Sequence, residues 1–282
     1  MTFPLLLVSP DSASVDQEKK IGEYIIHHIK NSNEWNVFGF HLPLPQFEPV
    51  SVFGMTIDLS ITTHVIMLWI AAITLILVFR LSFKRDRLIP AGFGALLESM
   101  ILFIRDEVVY SSLGEKEGRR FMPLLCTFFF FILTCNLLGL IPPFSTATGN
   151  INVTAALAII TFIAGQFFGM RRQGIVGYFK SLVPAGVPIW LLPLMYIIEI
   201  MGLLAKHFAL VIRLFANMIA GHIVFFAFIS LIIIFKNFLL VPFSVGLAIF
   251  VDLLEILVAF IQAYVFTILS TLFIGMAVHP EH

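Results

Sequence analysis

Two long apolar runs near the C-terminus carry side chains able to hold or pass protons. Glu199, Lys206, His207, Arg213, Asn217 and His222 interrupt the first, and Asp252, Glu255, Gln262 and Tyr264 the second. An ionisable group inside a membrane span costs about 2.5 to 3.5 kcal/mol or more, so each marks a functional position by default. Carboxylates and imidazoles can exchange protons, whereas an arginine keeps its charge at any working pH and acts only through it. Arg213 has no carboxylate four residues away on its own run, so its partner is expected on another chain. A lone intramembrane His or Gln also serves as an ordinary interhelical hydrogen bond, and Lys206 can extend its stem to an interface. The pattern therefore weighs more than any one residue.

Spacing groups these side chains. Glu199, Lys206 and Arg213 recur at intervals of seven and Asn217 follows Arg213 by four, which puts them near one helix face. Glu255 and Gln262 share a face by the same interval, whereas His222, nine positions beyond Arg213, points nearly the opposite way. If the two runs are antiparallel arms turning near residues 237–240, facing positions have numbers that add to about 477. That register sets His222 against Glu255, and Arg213 against Gln262 and Tyr264. His222 and Glu255 then lie on the outer side of Arg213, and Glu199, Lys206 and His207 on the inner side.

The elements that must position them belong in a bilayer. Hydrophobic residues make up 59% of the 282 and charged residues 12%, with a mean hydropathy of +1.00, against about 25% charged in a soluble domain. Lys+Arg and Asp+Glu both number 17, a net charge of +0, so no basic field exists to draw in nucleic acid and no nucleic-acid role is expected. Spanning the roughly 30 Å hydrocarbon core takes about 20 helical residues. Residues 1–58 do not meet that length; they form an N-terminal extramembrane segment, with an amphipathic helix suggested by Ile21, Ile25, Ile26 and Ile29 and an extended stretch around Pro43, Pro45 and Pro49. A cleaved leader has weak support, since no basic residue precedes the short apolar start.

Residues 59–282 form the membrane domain. A first span at 59–79 ends at Arg80, Lys84, Arg85 and Arg87, which the excess of basic residues on cytoplasmic loops assigns to the inside. Residues 88–120 mix Leu96, Leu97 and Ile101 with Glu98, Arg105, Asp106 and Glu107, an interfacial helix with a solvated face. Spans at 121–141 and 151–170 follow, joined by the uncharged outer loop FSTATGN and closed by Arg171 and Arg172 inside; Gly165 and Gly169 permit close helix contact. The runs 188–235 and 241–278 would be roughly 55 to 70 Å long as helices, twice the membrane core, so they must tilt or bend. The expected fold is an all-α integral membrane protein of about five membrane helices plus an interfacial helix, the last two forming a long, strongly tilted hairpin suited to flanking a curved membrane partner.

Other chemistries fit less well. Cys126 and Cys135 fall on opposite helix faces and read as buried apolar residues, not a disulfide or metal pair. A substrate transporter would show internal repeats with interrupted helices, and none is found. His207 and His222 lie at different depths, which argues against a haem or quinone subunit; no cofactor and no metal are expected. Walker A, HExxH and nucleophile-elbow patterns are absent, so nucleotide chemistry must reside elsewhere.

The strings ALVIRLFANMIAGH (209–222) and EILVAFIQAYVFTILSTLF (255–273) resemble subunit a of F-type ATP synthases, and NLLGLIPP (136–143), NVTAALA (152–158) and IEIMGLLAK (198–206) agree in order and spacing. The resemblance covers about residues 59–278. It implies a non-catalytic, proton-translocating stator subunit in which Arg213 faces the carboxylate of a rotating c-ring and Asn217 and Gln262 line the adjoining polar face. It further implies an outer half-channel through His222 and Glu255 and an inner one through Glu199, with the c-ring, b-type peripheral-stalk subunits and the lipid bilayer as partners. Relatives of the enteric bacterial type carry Glu where this chain has His222 and His where it has Glu255, which supports proximity of the two. The long N-terminal segment favours a bacterial inner membrane over a mitochondrial one.

Overall fold

The computed structural model describes residues 34–37, 40–47, 50–52, 55–57, 60–83, 90–141, 144–183, 186–235 and 241–278. Two small antiparallel hairpins come first. β1 (Glu34–Val37) pairs with β2 (Phe40–Pro43), and β3 (Val50–Val52) with β4 (Met55–Ile57). Pro43 and Pro45 lack the amide hydrogen that a helix requires, in keeping with the extended chain expected here. The amphipathic helix expected before it, the basic residues Lys84, Arg85 and Arg87, and the turn between the last two arms lie outside the described residues.

The remaining described elements are helical. α1 spans Thr63–Ser82; α2 (Phe93–Phe103) runs through a π-helical stretch, Ile104–Tyr110, into α3 (Ser111–Gly139); α4 is Ile151–Gln173 and α5 the short Ile175–Ser181. A 3-10 turn at Ile189–Leu191 leads into α6 (Leu192–Phe235), and α7 is Val241–Val278. Among the described residues, five helical stretches are long and apolar enough to cross a membrane: Thr63–Ser82, Phe93–Gly139, Ile151–Gln173, Ile189–Ile232 and Val241–Val278. This is an all-α, multi-pass membrane protein with two minor hairpins at its start. α6 and α7, at 44 and 38 residues, measure about 66 and 57 Å at 1.5 Å per residue and cannot stand upright in the roughly 30 Å core.

The interfacial helix expected within 88–120 is present: the chain is helical from Phe93 up to Gly114, which at φ 73° and ψ 164° breaks the path, and a second helix continues to Gly139 and carries the apolar run of the second span. Leu97, Ile104, Val108, Val109 and Leu113 are buried in the main core, while Asp106, Glu107, Glu115 and Lys116 remain exposed. Its apolar side thus packs on the bundle and its polar side faces solvent.

α7 is the central element. Its buried stripe, Ala259, Ala263, Phe266, Ser270 and Ile274, is mostly small, which lets α3, α4 and α6 approach closely in a solvent that offers no hydrophobic drive between helices. Phe128 of α3 meets Phe266 edge to face at 5.6 Å, and Thr161 of α4 shares a 3.2 Å hydrogen bond with Ser270. Gly165 and Gly169 seat α4 on the end of α7: a Cβ on Gly169 would lie 2.7 Å from the Ala277 carbonyl. At the basic end, Arg172 bridges to Glu117 at 2.8 Å, tying α4 to α3. Outward, Trp69, Ile76 and Leu81 of α1 are more than half exposed at 56%, 64% and 72%, a surface for lipid.

Candidate functional site

The polar side chains of the two long arms gather in three places along α6. The first is at the end bearing the outer loop. His222 Nδ1 lies 3.0 Å from Glu255 Oε1, and its Nε2 lies 2.6 Å from the hydroxyl of Thr146 in the loop between α3 and α4. Glu255 and Thr146 are each only 4% exposed. Two glycines make the approach possible. A Cβ on Gly221 would stand 2.5 Å from Glu255 Oε1, and one on Gly139 would overlap the Thr146 hydroxyl. A recess of about 30 Å³, lined by Gly139, Phe144, His222, Asp252 and Glu255 among others, has room for about one water molecule. Deeper in the same loop, Thr148 donates to Asn136 Oδ1 at 2.6 Å, leaving Asn136 Nδ2 buried without a partner. His64 of α1 is buried too, close along its helix to Met67, which packs on the loop's Ala147.

The second place is midway. Arg213 is exposed and makes no hydrogen bond or ion pair among the described residues. One turn further on, Asn217 Nδ2 donates to Gln262 Oε1 at 2.8 Å, and Gln262 Nε2 is buried without a partner. The register expected from the sequence thus holds for His222 with Glu255 and, shifted by one turn, for Gln262. Tyr264 departs from it: its ring packs against Phe103 at 5.8 Å, on the side of α7 that faces the core, and it does not join the group around Arg213.

The third place is a recess of about 640 Å³ between α4, α5, α6 and α7, lined by Gln166, Tyr178, Glu199, Lys206 and His207 with the serines 112 and 181. Tyr178 donates to Gln166 Oε1 at 2.6 Å. The His207 ring is set by the Leu203 carbonyl, 2.9 Å from Nδ1, and lies between Phe162 and Phe273 at 5.1 and 5.0 Å. Tyr178 follows soon after Arg171 and Arg172, so this recess lies at the basic end, inside by the charge rule. Glu199 and His222 therefore belong to recesses at opposite ends of the molecule, about 21 and 14 Å along the helix axis from Arg213. Thr146, Gln166 and Tyr178 were not among the site residues expected from sequence.

No group of three or more His, Cys, Asp or Glu side chains that could hold a metal occurs among the described residues. Cys126 and Cys135 are both free thiols.

Residues 65–275 match the family model described as ATP synthase A chain. The chain is 47% identical over 267 residues to ATP synthase subunit a of Chloroherpeton thalassium, covering 91% of this chain and 77% of that one. It is 48% identical over 229 residues to ATP synthase subunit a of Myxococcus xanthus (80% and 75% covered) and 44% identical over 267 residues to ATP synthase subunit a 2 of Chlorobaculum tepidum (92% and 74%). The match takes in both long arms and the outer loop, and with the helical count it leaves one reading of lineage: the chain belongs to the ATP synthase A chain family.

Proposed function

We propose that the chain is the proton-translocating stator subunit of an F-type ATP synthase in a bacterial inner membrane, working against a rotating c-ring and held by b-type peripheral-stalk subunits. The observation that carries this reading is Arg213, exposed and without a hydrogen bond or ion pair among the described residues, between two polar recesses that lie toward opposite ends of the membrane domain. A charge in that position needs an anionic partner, and the surface on which it stands is open to another chain.

A proton from the outside enters the recess at His222 and Glu255 and reaches the c-ring carboxylate past the Asn217–Gln262 pair. The neutral carboxylic acid then travels with the ring through lipid and comes back to Arg213 from the inner side. Beside the guanidinium the ionised carboxylate is favoured, so the proton leaves into the recess of Glu199. Because the guanidinium never loses its own proton, it also bars direct passage between the two recesses. The membrane potential contributes about 2.3 kcal/mol per charge per 100 mV, which several protons together turn into rotation. The subunit performs no nucleotide chemistry itself.

The test is Arg213→Ala in the assembled complex. ATP synthesis is lost, while membranes stripped of the ATPase head take up protons passively under an imposed potential. Normal synthesis in this variant would remove Arg213 from the mechanism.

A further inference from the structure

We infer that Thr146 is a positioning residue of the outer proton path, acting on His222 as the partner of Nε2 in both charge states of the ring. The inference rests on the outer-path reading above. Three facts carry it. The Thr146 hydroxyl is 2.6 Å from Nε2 while Nδ1 faces the buried carboxylate of Glu255 at 3.0 Å. Thr146 is 4% exposed, so its hydroxyl is not turned to bulk solvent. Gly139 lies so close beneath it that no other residue type would leave the threonine its place.

The chemistry follows from what each group can donate. In the neutral ring, Nδ1–H donates to the Glu255 carboxylate, which leaves Nε2 an acceptor, and the Thr146 O–H donates to it. On uptake of a proton from solvent in the adjoining recess, one N–H bond forms at Nε2 and the ring carries a positive charge. The hydroxyl then rotates and accepts from Nε2–H; release breaks that same N–H bond and restores the first arrangement. No hydrogen is lost from the threonine in either direction. A carbonyl or a carboxylate could only accept and an ammonium could only donate, so either would lock His222 in one state. The titratable groups sharing the recess are Glu255 and Asp252, both on α7.

The experiment uses inverted membrane vesicles carrying the whole complex, with ATP-driven proton pumping read by quenching of a pH-sensitive dye and normalised to the amount of subunit present. Thr146→Val keeps the shape and removes the hydroxyl, and Thr146→Ser keeps the hydroxyl. Losing one hydrogen bond to the ring slows pumping about three- to tenfold in the valine variant, and serine restores it to within about twofold. In a His222→Leu background the valine adds no further loss, since the residue acts through the imidazole. Slow pumping in His222→Leu with normal pumping in Thr146→Val overturns the role of Thr146 and leaves the outer path standing. Equal loss in valine and serine, or a valine effect that multiplies on the His222→Leu background, makes Thr146 a structural residue and also overturns the inference. Undiminished pumping in His222→Leu would bring down the outer-path reading itself.

Discussion

Substituting Gly221 with alanine tests the outer site through its geometry while leaving every titratable group in place. The added Cβ would lie 2.5 Å from Glu255 Oε1 and 2.6 Å from its carboxyl carbon. An ordinary nonbonded separation is about 3.5 to 4.0 Å, so the carboxylate or the helices must give way by about 1 Å. α7 is held by α3 and α4 as well as by α6, and the end of the Glu255 side chain is the softest part available. A displacement of that size is enough to take the 3.0 Å contact with His222 beyond hydrogen-bond range. A hydrogen bond to a charged group contributes about 1.5 to 3 kcal/mol, and if the proton step depends on it, transfer slows by about ten- to a hundredfold. ATP-driven pumping in vesicles, normalised to assembled complex, reads the loss, and passive proton uptake by stripped vesicles shows that it lies in the membrane sector. Pumping within about twofold of the parent protein would refute the claim that contact between His222 and Glu255 is required.

Exchanging the pair, His222→Glu with Glu255→His, restores part of the pumping that either single leucine substitution removes, and cysteines at 222 and 255 crosslink; no crosslink would contradict the register. A cysteine at position 199 reacts with a membrane-impermeant thiol reagent or silver ion supplied from the inside, and labelling only from the outside would reverse the assignment of the recesses. Arg213→Lys keeps a charge but loses the planar guanidinium and can deprotonate when desolvated, so ATP synthesis fails as it does in the alanine variant; synthesis near the parental rate would show that charge alone suffices.

The long arms and the pairing of His222 with Glu255 were legible in the sequence because both rest on periodicity. An apolar run of this length has few other fates, and two helices joined by a short turn keep a near-constant register over several turns. Tyr264 shows where that logic ends. Register fixes depth along a hairpin but not which way a side chain leaves its helix, and two positions beyond Gln262 a residue is turned by about 200°. Thr146 was hidden for a different reason. It sits in an uncharged loop and meets a histidine 76 positions away, and nothing local distinguishes it from its neighbours. The bend at Gly114 was missed because the charges of 105–120 resemble a surface segment, although the backbone stays helical on both sides. Gln166 and Tyr178 join the inner recess only because α5 folds back against α4, a packing outcome that the composition of Ile175–Ser181 does not announce.

The length of α6 can be understood from the positions of its polar groups. Glu199 and His222 are 23 residues apart, about 35 Å along the axis and slightly more than the hydrocarbon thickness. Were the helix upright, each would stand at its own membrane surface and Arg213 would be separated from both recesses by apolar wall. Tilt would lower both groups into the membrane and displace them sideways, and on the function proposed above the two recesses would then lie at different positions along the ring as well as at different depths. Sideways displacement is what rotation needs: a carboxylate that gives up its proton at one recess can take another only after moving laterally to the second. On the function proposed above, Arg213, exposed between them and with no ion pair of its own among the described residues, sets a fixed positive charge in the ring's path at the point where a straight leak would be shortest. A shorter hairpin could carry the same residues, but it would stack the recesses one above the other and leave the lateral step undefined.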